Sequence, residues 1–510
     1  MGKFSRRQFV RALGLGLGAG ALAPLAGAGG DLLVPRAGAA PQARVTLDPA
    51  MPVHPCLQYG AQIEPNRRVR IVVQKTHPAA DSKGIARSAG AELAEEFTFI
   101  KSLVLEVPQR AVLGLARNPH VLYISPDAPA GLTAVSTAAL KTTHQAASGV
   151  TQGWNGAYPA TGKGVTVAVV DSGVAISHAA LTNRVVPRTV ISQPADDPHG
   201  HGTHVVGTIT GRDPQGRYFG VAPDARVVSV RVSDRSGACS EADLLRGLQW
   251  CYDNRAAYNI RAVNVSVSSA VAGSYTVSPI AAAAEQLWLA GVVVVAAAGN
   301  RGAGLVNHAP GHDPHIITVG ALDHNATAGM TDDRLADFSG RGAIVLGNHR
   351  YYKPDLVAPG RKIVAPLSSA SSELAQRFPD RITDSCYIRL SGTSMAAPIV
   401  TGMVALLLER HPGLRPNQVR WLLQNGMTGY PGQADQAGAA SAANALRLAA
   451  TYGANTPEAK SWLPLNAGIN PATGTSTWTQ AYWDQAYWDQ AYWDQAYWDQ
   501  AYWDNATSYD

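Results

Sequence analysis

The sequence predicts an α/β fold, a doubly wound parallel sheet preceded by a small α+β domain. From Gly164 onward, short uninterrupted runs of β-branched residues alternate with helical stretches, and strands buried on both faces of a parallel sheet read this way. Ahead of them, residues 69–127 carry their own set of strand and helix patterns. The chain is also 46% hydrophobic and only 15% charged over its 510 residues, a balance that buries a large core and excludes extensive disorder. At roughly 150 residues per domain, the length accommodates one large domain, an accessory domain and tails.

The elements follow in chain order. Arg6 and Arg7 precede a charge-free run of Ala, Leu and Gly from Ala12 to Gly30, followed by small-x-small sites at 26–28 and 37–39. Residues 1–40 therefore read as a twin-arginine export signal, removed at one of those sites. The glycines and Pro24 make the run a poor permanent membrane span, and the mature chain is expected outside the cytoplasm with no membrane contact. Residues 41–68 hold five prolines and read as a linker. In the 69–127 module, strands are expected at 69–73, 102–107 and 121–125, with helices at 82–97 and 109–117. Residues 128–163, rich in Ala, Thr and Gly, read as a loosely ordered segment.

The large domain is expected over 164–450. Its buried strands fall at 165–170, 226–232, 261–267, 292–297 and 316–319, with helices at 203–210, 241–255 and 279–290. Residues 451–510 read as a tail with five copies of Gln-Ala-Tyr-Trp-Asp at 480–504. A period of five matches neither helix nor strand, so no single apolar face results. The formal net charge of +5, without long basic runs, gives nucleic-acid binding no support. Four cysteines, Cys56, Cys239, Cys251 and Cys386, lack metal-ligand spacing and are too few for a disulfide scaffold. A helix between Cys239 and Cys251 would hold them about 18 Å apart, too far to pair.

Four segments carry residues suited to chemistry. Asp171 ends a buried strand, where open α/β sheets place functional groups, although Asp-Ser-Gly is also ordinary turn composition. His199, His201 and His204 open a helix, with Asp196 and Asp197 nearby. They read either as a zinc cluster or as a single general base at His201, with His199 on an exposed glycine loop. Ser394 stands at the start of an apolar helix, as a nucleophile or as an N-cap. Asn300, after Ala297-Ala298-Gly299, is either an oxyanion donor or a turn residue.

Taken together the four segments resemble the subtilisin-like serine proteases. The Asp-Ser-Gly, His-Gly-Thr-His-Val-x-Gly-Thr, Ala-Ala-Gly-Asn and Gly-Thr-Ser-Met-Ala-x-Pro motifs occur in the family's order, and the likeness spans 164–450. The resemblance implies a secreted serine endopeptidase that hydrolyses polypeptides through an acyl-enzyme. Ser394 would be nucleophile, His201 base and acid, Asp171 the partner of the imidazole, and Asn300 an oxyanion donor. It implies substrate-binding strands at Ser236, Gly237 and Ala238 and at Ser266, Val267 and Ser268, where Ser268 and Ser269 stand in place of the family's glycines. Segments around 341–352 and 368–389 would be additional surface loops near the cleft.

The 69–127 module resembles the family's inhibitory propeptide, which makes the chain a self-processing zymogen with its own propeptide as first partner; Cys56 would leave with it. No cofactor is implied for catalysis. Structural calcium is frequent in such proteins, but no carboxylate cluster in the sequence identifies a site. The alternatives are a metal-dependent hydrolase using the three histidines, which leaves Gly-Thr-Ser-Met-Ala unexplained, and a surface-binding protein whose aromatic tail holds cell-wall or other insoluble polymer.

Overall fold

In this computed structural model the described residues are 48, 51–470 and 473, except 54, 78, 92, 98–100, 127–136, 271, 305, 434–436 and 468. The expected export signal and the Gln-Ala-Tyr-Trp-Asp repeats lie outside them.

The N-terminal module runs α1 (Pro55–Ile63), β1 (Arg68–Lys75), α2 (Ser82–Ser88), β2 (Leu93–Phe97), β3 (Ser102–Pro108), α3 (Arg110–Leu115) and β4 (Val121–Pro126). Its strands form one antiparallel sheet in the order β2-β3-β1-β4. The helix expected over 82–97 is therefore a helix and a strand. Gly90 takes φ +65° just past α2, which stops the helix. The Ala- and Glu-rich stretch beyond it pairs with β3 from Leu93↔Leu105 to Phe97↔Ser102. Helix propensity there yields to cross-strand pairing and to the ion pair from buried Lys75 to Glu96, 2.7 Å. The segment expected as linker contributes α1, and buried Val53 and Leu57 join the core of this module.

The large domain is built on β5 (Thr166–Asp171), β6 (Val185–Thr189), α4 (His201–Thr210), β7 (Arg226–Arg231), α5 (Glu241–Asn254), β8 (Ile260–Val265), α6 (Pro279–Leu289), β9 (Val293–Ala297), β10 (Ile317–Asp323), β11 (Arg334–Leu335), β12 (Gly342–Leu346), β13 (His349–Lys353), β14 (Leu356–Pro359), β15 (Ile363–Pro366), β16 (Ile382–Thr383), β17 (Tyr387–Leu390), α7 (Thr393–Arg410), α8 (Pro416–Asn425) and α9 (Ala442–Tyr452). The main sheet has the order β11-β10-β9-β8-β5-β7-β6, with β14 also on β10, and every pairing is parallel except β10 with β11. This is the doubly wound α/β sheet the sequence predicts. Its order reverses at β5, and the crevice outside the carboxyl ends of the strands at such a switch point is where α/β proteins bind ligands.

Caps set the surface helices. Ser240 and Asp243 form a capping box at α5, and Ser278 with Pro279 at the first helical position opens α6. The interior helix is α7, whose residues 393–408 are all buried and which packs against β8, β9, β10 and β14.

Three expected loops are ordered structure. Within 128–163, helices form at His144–Ala147 and Val150–Asn155. Val150 and Trp154, four residues apart and so on one helix face, both enter the core, and Trp154 Nε1 donates to the Val221 carbonyl at 2.8 Å. Residues 342–353 make the hairpin β12–β13 around a Gly347-Asn348 turn, in register Leu346↔His349. The 368–389 segment contains a helix at Glu373–Arg377, β16 and most of β17, and pairs through β17 with β15 just ahead of it to form a small sheet, β15-β17-β16.

The expected tail also begins later than 451. Leu463 is buried beside Tyr275 and Ala281, with Leu346 and Tyr351 of the hairpin against them. The Asn466 amide donates to Glu285 Oε2 at 2.9 Å, and Pro464 O accepts from Tyr275 Oη at 2.8 Å. Cys239 and Cys251 are unpaired, as their helical separation requires.

Glu285 is buried, and its carboxyl is pushed up to about 10, first by burial and then by the neighbouring Asp313 charge. Its folded pKa thus lies above the unfolded carboxyl value of about 4.3. Folding takes up a proton across that window, so this group's contribution to stability is fully present below pH ~4.3 and is lost as pH rises towards 10. Glu285→Gln should accordingly flatten the fall in melting temperature between pH 6 and pH 10; a variant with the wild-type slope would contradict the assignment.

Candidate active site

The carboxyl edge of three adjacent strands gathers the site. Asp171 ends β5, Ser266 follows β8 and Asn300 lies just past β9. The N-termini of α4 and α7 bring His201 and Ser394. Asp171 and His201 are fully buried, with His201 Nδ1 2.7 Å from Asp171 Oδ1. Because the same carboxylate oxygen accepts the Ser172 amide at 2.7 Å, the imidazole is assigned as the donor at Nδ1.

The approach of α4 to β5 is allowed by glycine. A Cβ on Gly202 would lie 2.3 Å from the Gly173 carbonyl oxygen and 3.2 Å from Asp171 Oδ1. The loop before α4 is organised by Asp197, a buried carboxylate that accepts Ser172 Oγ at 2.8 Å, Gly200 N at 2.7 Å, Thr203 N at 2.7 Å and Thr203 Oγ1 at 2.6 Å. Arg231, also buried, donates to Asp196 Oδ1 at 2.7 Å.

His199 is buried, not exposed on a glycine loop. The segment at 372–374 lies over it, with Glu373 N and Leu374 N donating to the Pro198 and His199 carbonyls at 3.0 and 3.1 Å. Burial lowers the His199 pKa to about 3, and the His204 pKa likewise, so both rings are neutral. His204 Nε2 bonds to the Ile363 carbonyl at 3.0 Å, and this turns it away from any ligand set shared with His199 and His201. Among the described residues no three His, Cys, Asp or Glu side chains converge on a metal position.

Ser394 lies in the first turn of α7, with its hydroxyl donating to the Ser266 carbonyl at 3.1 Å while Ser266 Oγ donates to the Ser394 carbonyl at 3.2 Å. A buried chain continues through Asn264 Nδ2 to Ser266 Oγ, 2.9 Å, and from Thr401 Oγ1 to Asn264 Oδ1, 2.9 Å. The Asn300 carboxamide oxygen accepts both Thr393 N, 2.9 Å, and Thr393 Oγ1, 3.0 Å. With Oδ1 so engaged, Nδ2 is the end available to donate.

Val267 and Ser268 follow β8 and are buried; Ser269, one residue on, donates its amide to the Ala309 carbonyl at 2.8 Å. Ser236, Gly237 and Ala238 do not form a strand. They make a turn around Asp234, whose Oδ1 accepts Ser236 N at 2.8 Å and Ala238 N at 3.0 Å, while Gly237 N donates to the Asp234 carbonyl at 3.3 Å. Asp197, Ser172, Asn264 and Thr401 escape assignment from sequence because single polar residues in a loop, a strand and a helix carry no local pattern. The only signal was the acidic pair just ahead of the histidines.

A parallel sheet reversing at β5, with these motifs on its carboxyl edge, defines a subtilase: residues 162–449 match the family described as Peptidase_S8, Subtilase family, and the chain belongs to it. Among individual proteins it is similar to serine protease AprX of Bacillus subtilis, 39% identical over 52% of this chain and 62% of that one. It is also similar to M-protease of Shouchella clausii, 32% identical over 66% and 77%. The chain thus spans under two thirds of the AprX length. Of solved structures, a cold adapted subtilisin-like serine proteinase aligns over 56% of this chain and 90% of its own with 30% identity and a TM-score of 0.44.

Gly202→Ala tests the close approach of α4. Its new methyl forces the helix start off the Gly173 backbone, and a displacement of about 1 Å at such a site costs on the order of 10²-fold in rate. Active-site kinetics of this variant should show that loss in kcat; wild-type kcat would mean that the contact is relaxed elsewhere.

Proposed function

We propose that the chain is a secreted serine endopeptidase, made as a self-processing zymogen. The observation that carries this reading is the buried 2.7 Å contact between His201 Nδ1 and Asp171 Oδ1 on the edge that also holds Ser394 and Asn300. Asp171 fixes the tautomer with the proton on Nδ1, so that Nε2 is the base. In the resting chain the Ser394 hydroxyl is parked on the Ser266 carbonyl. A χ1 rotation turns it to His201, which takes its proton as the oxygen attacks the substrate carbonyl. The tetrahedral oxyanion accepts from Asn300 Nδ2 and from the Ser394 amide, at a helix N-terminus whose dipole favours negative charge. His201 then protonates the leaving amine, and the acyl-enzyme is hydrolysed by the reverse sequence with water. No cofactor enters these steps.

The substrate is an extended polypeptide that pairs with the backbone at 266–268, a form of β-augmentation. The turn at 236–238 offers the other rim, with its amides and the Ala238 carbonyl, which accepts Asp234 N at 2.8 Å, used within the turn. The small module at 51–126 acts as the inhibitory propeptide. The twin-arginine segment directs export, and among the described residues no helix is long and apolar enough to cross a membrane. The aromatic repeats at 480–504 present Tyr and Trp to an insoluble polymer, cell-wall glycan or aggregated protein.

Ser394→Ala should accumulate as an uncut precursor, whereas the wild type loses the module ahead of residue 140. Asn300→Ala should process about 10²- to 10³-fold more slowly, the general cost of one oxyanion-hole donor, for which subtilisin itself is a source case. A serine-directed phosphonate should abolish peptide hydrolysis while a zinc chelator leaves it unchanged. Maturation of purified Ser394→Ala would overturn the assignment.

Removing residues 480–510 should leave hydrolysis of a small peptide unchanged and reduce retention on insoluble substrate. Equal retention would leave the repeats without this role.

A further inference from the structure

We propose that Asp197 is a positioning residue: acting through Ser172, it sets His201 against Asp171. This rests on the reading of Asp171, His201 and Ser394 as the catalytic residues. The two catalytic segments come from different elements, the end of β5 and the start of α4, and the side-chain clamp between them is built on one carboxylate. Asp197 Oδ1 takes Ser172 Oγ at 2.8 Å and Gly200 N at 2.7 Å; Oδ2 takes the amide and hydroxyl of Thr203 at 2.7 and 2.6 Å. Ser172 Oγ in turn accepts Gly202 N at 2.8 Å, while the Ser172 amide bonds Asp171 Oδ1 at 2.7 Å. Residues 200, 202 and 203, on both sides of His201, are thus tied to the residue that follows Asp171. Thr203 Oγ1 closes the ring by accepting Ala175 N at 3.0 Å.

An ionised carboxylate is suited to this place. It is acceptor-only, and it meets four donors from a buried position with charge-assisted bonds, which are roughly twice as strong as neutral ones. An amide of the same shape would turn an NH₂ group towards two of those donors. The consequence would be felt at His201, whose ring must hold its angle to Asp171 while leaving Nε2 directed at Ser394. A displacement of that ring lowers the rate without changing the groups that touch the substrate.

The test uses the full chain carrying Asp197→Asn, Ser172→Ala, Ser172→Thr or the double change, with a chromogenic peptide anilide as substrate. Rates are expressed per molecule with native near-ultraviolet circular dichroism. Asp197→Asn and Ser172→Ala should each lose about 10- to 100-fold in kcat with KM within about twofold, the pattern of an interaction that acts on the chemical step alone. Ser172→Thr, which keeps the hydroxyl, should recover most of the rate. The double change should lose no more than Asp197→Asn alone, because both act through one link.

Wild-type kcat in Ser172→Ala, or losses that multiply in the double variant, would overturn the proposal. Should Asp197→Asn fail to fold, Ser172→Ala decides it, since that change leaves Asp197 its bonds to Gly200 and Thr203. Ser394→Ala is measured alongside. If that variant kept its activity the catalytic assignment itself would fall, whereas its inactivity beside a fully active Ser172→Ala would reject only the positioning role.

Discussion

A fully buried carboxylate facing a fully buried imidazole is the constraint around which the large domain is arranged. Removing either charge-bearing group from water costs several kcal/mol unless hydrogen bonds replace the lost hydration. The fold supplies them from one backbone and one side-chain donor: Asp171 at the tip of β5 receives the Ser172 amide and the His201 ring. The His201 ring arrives because α4 can settle onto the strand end, and it can do so only where Gly202 has no side chain to strike the Gly173 carbonyl. The parallel sheet matters for the same reason. Its β5, β8 and β9 lie side by side with their carboxyl ends together, so three polar residues from distant parts of the chain meet without any loop having to reach.

Rigidity of the second half of the site comes from α7. A helix buried along residues 393–408 can keep its position only if its few polar groups are matched, and Thr401, Asn264 and Ser266 form that match in series. The series ends at Ser394. Its reciprocal bonds with Ser266 hold the seryl backbone against the strand that is also the proposed substrate edge. A substrate lying along 266–268 would therefore be registered to the nucleophile by the same residue that anchors it. The serines at 268 and 269 add side chains at that edge, and Ser269 is drawn inward to Glu241 at the start of α5.

The centre of the large sheet was legible because β5, β7, β8, β9 and β10 are rich in Val, Ile and Ala, whereas β6, with Pro187 and Arg188, and the short β11 and β14 carry no such run and were not read; the motif residues were legible because glycines and small residues surround them at fixed offsets. The misreadings have specific causes. The stretch 91–97 favours a helix by composition and becomes a strand because Gly90 breaks the helix and β3 offers a partner. His199 looks exposed in its glycine loop and is covered by a segment about 170 residues further on, which no local pattern reports. Ser236 to Ala238 look like a strand edge, yet Asp234 folds them into a turn by capturing their amides. In each case the deciding interaction is long-range or comes from one side chain.

The hairpin β12–β13 and the C-terminal segment around Leu463 pack on one another. The hairpin β12–β13 places Leu346 and Tyr351 against Leu463 and Tyr275, and Tyr351 Oη donates to the His312 carbonyl at 2.8 Å. Burial, and after it the neighbouring Asp313, raises the Glu285 pKa, and Glu285 holds the Asn466 amide. Hairpin, carboxyl pair and C-terminal strap thus form one unit outside the catalytic edge. A segment tied down in this way presents little fraying backbone to another copy of a protease, which acts on extended, unpaired strands.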